Sequence, residues 1–273
     1  MVGKLEEIAG DIRQDIVYMS HSAQGAPHPG GALSAADIMA ALYFGEMRLT
    51  DNPEWADRDR FVLSKGHASP VLYAALCRKG YFPRDWYDGL RGLGCKLQGH
   101  PDMRKTPGVD MTAGSLGNGL ALAAGMALGI KLDGGEARVY VMLGDGELQE
   151  GLVWESALYS ANIGLDNLIA IVDNNGYQSC GQTAEISSVE PIEDKFLAFG
   201  WNAQRIDGHD VKSILAALER ARTRDGKPSV IIADTVKGKG VSFMENNNAW
   251  HQKKMGDEQF DVAMKELTNG GRQ

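Results

Sequence analysis

The chain has 273 residues, 43% of them hydrophobic and 23% charged, enough for one large α/β domain with a sizeable core. Its 36 acidic and 28 basic side chains leave a formal charge of −8, which excludes general attraction to nucleic acid or to an anionic membrane, so an anionic ligand has to be held locally. Cys77, Cys95 and Cys180 form no CxxC pair, the start of the chain carries acids early, and no run of ~18 apolar residues occurs. The expectation is a cytoplasmic protein with no export leader and no membrane span.

Leu5, Ile8, Ile12 and Ile16 recur at helical spacing, so the chain opens with an amphipathic helix ending near Ser20. A Gly/Pro-rich loop from Gln24 to Gly31 follows, and Ser34 is the expected cap of a helix running to about Phe44. Phe61 to Ser64 reads as a strand that delivers Lys65, Gly66 and His67 into a turn before a helix from Val71 to Arg78. Ser115 to Leu132 has the length of a helix but is full of Gly and Ala, which points to close packing against another element or another protein chain.

Three further apolar runs read as strands: Ala137 to Leu143, Leu168 to Val172 and Ser229 to Ala233. Helical patterns lie between them, at about 148–162 and 211–222, so the fold class is α/β: an open parallel sheet flanked by helices, in one domain over residues 1–273. Each strand ends in polar or Gly-rich residues, and ligands bind at that carboxyl edge in such sheets. Asn269 to Gln273 read as a frayed tail.

Gly144-Asp145-Gly146 places a carboxylate between two residues that let backbone approach a ligand, and Asn175 stands at the end of the next strand. Mg²⁺ prefers a few protein oxygens, with substrate phosphates completing its shell. Taken alone, the Gly-Asp-Gly run is a common turn. Its pairing with Asn175 one helix and one strand later is far more specific, and Asn174 reads as a turn residue.

Four of the six histidines, His28, His67, His100 and His251, sit in loops, where imidazoles that switch charge near neutral pH suit proton transfer to sugar hydroxyls. His21 and His209 read as structural. Lys237 and Lys239 read equally as a phosphate attractor and as exposed loop charge, Arg220, Arg222 and Arg224 as a solvated helix end, and Phe196, Phe199 and Trp201 as core filling.

These residues, with the runs Gly114 to Gly119 and Gly144 to Gly151, resemble the N-terminal region of transketolase, in family order over nearly the whole chain. The resemblance implies thiamine diphosphate held through Mg²⁺, in the diphosphate-binding domain of the thiamine diphosphate-binding fold. Asp145, the Asn175 side chain and the Tyr177 carbonyl would bind the metal. His67, His251 and the Gly146 N–H would meet the diphosphate, and Gly114 and Leu116 would flank the aminopyrimidine, with Ser115, Gly144 and Glu147 also counted as cofactor-binding. His28, His100 and His251 would face the sugar, and Glu150 would join an acid network at the interface between subunits.

The family's pyrimidine-binding domain has no counterpart in this sequence, so the resemblance implies a C-terminal partner subunit that supplies the activating glutamate, in an α₂β₂ assembly acting on sugar phosphates. The alternatives are the α-type subunit of a 2-oxo acid decarboxylating enzyme, a deoxyxylulose-phosphate synthase relative, and a non-catalytic assembly module. Two positions depart from the family pattern: Ala26-Pro27 stands where a Ser-Gly pair is usual, and Gln252 follows His251 in place of Gly.

Overall fold

The computed structural model describes residues 1–270. Helix α1 (Val2–Ser22) buries Leu5, Ile12 and Ile16 on one stripe, and a bend leads to α2 (Pro29–Leu33) and α3 (Ala36–Ala41). Ser34 is not the expected cap. The helical run starts earlier, with Pro29 at its first turn, where a missing N–H costs nothing. Ser34 instead lies at the junction of the two helices and donates its hydroxyl to Asp173 Oδ2 at 2.6 Å.

The chain continues through β1 (Arg60–Leu63) and α4 (Ser69–Arg78) to α5 (Asn118–Leu132), β2 (Val139–Gly144) and α6 (Gly151–Asn162). Strand β3 (Leu168–Asn174) is followed by a two-stranded hairpin, β4 (Tyr177–Gln178) with β5 (Gly181–Gln182), then by the helices α7 (Thr183–Ser187) and α8 (Ile192–Ala198). Strand β6 (Asn202–Asp207), α9 (Val211–Ala221), β7 (Ser229–Asp234) and α10 (Asp257–Gly270) complete it. Asn269 and Gly270 are therefore helical where the sequence reads as a tail, and residues 271–273 lie outside the described residues.

The main sheet is parallel, in the order β1-β2-β3-β7-β6. Strands β2 and β3 are nearly continuous apolar runs because helices cover both faces. Alternate residues feed two cores: Tyr140, Met142, Ile169 and Ile171 join Ile12, Ile16, Ile38 and Tyr73 on one side. Val139, Val141, Leu143, Ala170 and Val172 join Leu120, Ala123 and Val153 on the other.

Strand β6 is not legible as a strand in the sequence. It is an edge strand of mixed composition whose residues are at most half-buried, so no apolar alternation marks it. Its place comes from pairing with β7 and from Arg205, which bridges Glu190 and Asp234. Among the described residues, no helix is long and apolar enough to cross a membrane.

Candidate active site

In register, Gly144 at the end of β2 lies beside Asp173 near the end of β3, which lies beside Ala233 of β7. This carboxyl edge opens into a cavity of about 360 Å³ walled by Asp145, Asn175 and Tyr177 together with His28, His67 and His251. Asp145 is buried, and its Oδ2 accepts from Thr183 Oγ1 at 2.7 Å. Burial pushes its carboxyl up to about 6. Asn175 donates its amide to Asp173 Oδ2 at 3.1 Å, and its Oδ1 accepts from the Tyr177 N–H at 3.1 Å. Asn174 points elsewhere, to Asp234 Oδ1.

A Cβ at Gly146 would stand 2.7 Å from Gln178 Cβ, so this glycine is what lets the β4-β5 hairpin close over the strand ends. Among the described residues, no three His, Cys, Asp or Glu side chains converge as a metal cage. The oxygens present are one carboxylate, one amide and the loop carbonyl, a set suited to Mg²⁺ sharing its shell with phosphate.

The three imidazoles form a triangle, with ring centroids 5.1 Å apart for His28 and His67, 5.4 Å for His28 and His251, and 5.3 Å for His67 and His251. Burial, reinforced by neighbouring positive charge, lowers His28 to about 3 and His251 to about 4, and holds His67 well below its ordinary value. At neutral pH they are uncharged, so charge switching near pH 7 is not a property of the chain without ligand. His28 is only 9% exposed, and its Nδ1 is buried without a hydrogen-bond partner. An unsatisfied ring nitrogen on the wall of a polar cavity fits a ligand donor or acceptor.

The strand ends also bring in Lys65, which is not among the predicted site residues, and Lys237, one of the pair read as either a phosphate attractor or a loop charge. Lys65 is buried, pairs with Asp173, and donates to the Gly31 carbonyl at 2.8 Å. Lys237 lines the cavity with its Nζ 3.0 Å from His251 Nδ1, and burial brings its ammonium down to about 8. Lys239 is the exposed member of the Lys237/Lys239 pair, 3.8 Å from Glu245. The available signal for Lys65 and Asp173 is opposite charge at the carboxyl ends of two apolar strands.

Other predicted residues are placed differently. Gly114, Leu116 and Gly144 line the cavity, as does Glu150, whose carboxylate has no hydrogen-bond partner among the described residues. His100 packs behind Gly114 and, like the exposed Ser115, lies outside the cavity wall. Glu147 reaches the wall, but its oxygens are taken by Ser64 Oγ, by Gly117 N–H at 2.8 Å and by Gly144 N–H at 3.1 Å. Its carboxylate is thus engaged by the protein itself on both oxygens. His21 and His209 are structural as expected, the first on Asp257 and the second between Asp37 and the Val236 N–H.

Residues 7–270 match the family model described as the transketolase, thiamine diphosphate binding domain. The chain belongs to the transketolase family. It is 48% identical over 248 residues to a 6-deoxy-6-sulfo-D-fructose transketolase subunit of a Clostridium species, covering 90% of each chain. It is 40% identical to an apulose-4-phosphate transketolase subunit of Actinobacillus succinogenes, covering 97% of this chain and 96% of that one. Transketolase from Leishmania mexicana superposes with a TM-score of 0.91 at 30% identity, over 98% of this chain and 42% of that one. The transketolase-type domain thus spans less than half of that longer chain and nearly all of each of the two bacterial relatives.

Proposed function

We propose that this chain is the diphosphate-binding, N-terminal subunit of a two-chain transketolase. It moves a two-carbon ketol group from a ketose phosphate or similar anionic ketose to an aldose acceptor, using thiamine diphosphate and Mg²⁺. The observation that carries this is the single cavity joining the Asp145/Asn175/Tyr177 oxygens to the His28/His67/His251 triangle. The near full-length match to chains named as transketolase subunits supports the two-chain arrangement.

Asp145, Asn175 Oδ1 and the Tyr177 carbonyl would hold Mg²⁺. The Gly146 N–H, His67, His251 and the cations Lys65 and Lys237 would hold the diphosphate, while Gly114 and Leu116 would flank the ring. Bound thiamine diphosphate supplies the nucleophilic carbon and the electron sink that cleavage of a ketose C2–C3 bond requires. Neutral imidazoles at His28 and His251, with His100 behind Gly114, would accept and return hydroxyl protons of the sugar. Glu150 stands at the cavity mouth for the acid network. The activating glutamate comes from a C-terminal subunit carrying the pyrimidine-binding domain, in an α₂β₂ assembly. Three unpaired cysteines suit the cytoplasm.

The test is reconstitution with that partner and a panel of ketose and aldose phosphates. Ketol transfer is expected from the pair and not from this chain alone. Strong transfer by the lone chain would sink the two-chain reading, and pyruvate turnover without ketose activity would move the chain to the 2-oxo acid enzymes. In calorimetry, Asp145→Ala is expected to weaken Mg²⁺-dependent thiamine diphosphate binding by about tenfold or more.

A further inference from the structure

The segment before α5 is pressed onto the strand ends more tightly than any side chain would allow. A Cβ at Gly66 would stand 3.0 Å from Gly114 N and 3.1 Å from Ala113 C. At Gly117, which has φ +83°, it would meet Glu150 Cβ at 2.8 Å, and at Gly119 it would meet Ser64 Cα at 2.7 Å. Three glycines thus admit the 113–119 segment between β1 and the Glu147–Glu150 turn.

What holds it there is Glu147. Its side chain is 3% exposed, and it accepts from Ser64 at the end of β1, from Gly144 at the end of β2 and from Gly117 at the start of α5. Gly117 brings no side-chain cap to α5, so the carboxylate takes up one of the helix's free N–H groups and faces the positive end of its dipole.

We propose that Glu147 is a positioning residue: its carboxylate clamps the Gly114–Gly117 turn to the ends of β1 and β2, and thereby sets the ring end of the cofactor slot. This rests on the reading that Asp145, Asn175 and Gly146 hold the diphosphate while Gly114 and Leu116 wall the ring. Glu147 acts through backbone, so its loss loosens one wall and leaves the metal end in place. In Glu147→Gln an amide turned with its oxygen to the Gly144 N–H keeps the β2 end and can donate to the Ser64 oxygen, but it sets its NH₂ against the Gly117 N–H, donor against donor.

The experiment titrates the full chain, alone and with its partner, with thiamine diphosphate and separately with inorganic diphosphate, both in Mg²⁺. Glu147→Gln is expected to weaken thiamine diphosphate by about tenfold and inorganic diphosphate by less than about twofold. Equal loss of both ligands, or loss of neither, overturns the clamp while leaving the cofactor reading intact. Wild-type chain that binds neither ligand overturns the cofactor reading itself and the clamp with it. Ser64→Ala removes one donor to Glu147 and keeps both backbone bonds, with a selective weakening of about threefold expected. Should Glu147→Gln fail to fold, an unselective or null result for Ser64→Ala overturns the proposal.

Discussion

His28 stands in the candidate site where burial, the His251 and His100 imidazoles and the cations Arg91 and Lys237 all oppose its protonation. A histidine whose folded pKa lies below its ordinary value is held neutral, while the unfolded chain accepts a proton that the folded chain refuses. Stability is therefore full above about pH 6.5 and falls as pH drops towards 4, by ~1.4 kcal/mol per pH unit for each such histidine. His28→Asn is expected to make this limb shallower in urea unfolding between about pH 5 and 7. An unchanged slope would remove His28 from the neutral set. The sequence places His28, His67 and His251 in loops and Asp145 and Asn175 at strand ends, and those positions hold. Their neutrality is not legible there, because it depends on rings packed about 5 Å apart from segments distant in sequence. Lys65 and Asp173 are hidden for the same reason: each alone is a charge at the end of an apolar strand, and only their buried pairing sets Lys65 in the wall.

At the scale of elements, α5 shows how far composition can be trusted. Its small residues predict close packing, and the structure separates them by face. Gly119 sits on Ser64, the residue after β1, whereas Gly125, in the middle of the same helix, has open space where a Cβ would be. Gly119→Ala forces the backbone after β1 aside and is expected to destabilise the chain by about 1–3 kcal/mol. Gly125→Ala keeps helical geometry and reduces unfolded-state freedom, so a gain of about 0.5–1 kcal/mol is expected. Paired denaturation curves decide this, and two shifts of the same sign would refute the assignment of faces. The apolar strands and the long helices are legible from periodicity, but β6 is not. An edge strand carries half the packing constraint of an inner one, so its sequence, Asn202 to Asp207, is free to be polar. The start of α2 escapes a sequence reading because a proline at a helix start looks like part of a loop.

Across the whole molecule, the site is a property of the complete sheet and of no single segment. Its walls run from His28 to His251, and five strands joined by four crossover connections lie between them in the chain. Such a site exists only in the folded state, so a ligand that occupies it stabilises the entire chain by mass action. With Mg²⁺ and thiamine diphosphate at about a hundred times the dissociation constant, the gain is about 2.7 kcal/mol, or about 5–10 °C in melting midpoint for a chain of this size. With one carboxylate, one amide oxygen and one carbonyl at the metal end, the two ligands are interdependent. Phosphate oxygens bring charge that the metal neutralises, and the metal needs those oxygens to complete its shell. Scanning calorimetry is therefore expected to show a large shift only with both present, and almost none with either alone. Asp145→Ala should cut the joint shift to about half or less while leaving the fold's own transition in place. An equal shift from thiamine diphosphate in the presence of a chelator would show that the lysines and histidines hold the diphosphate without a metal, and would remove Asp145, Asn175 and Tyr177 from the role proposed for them.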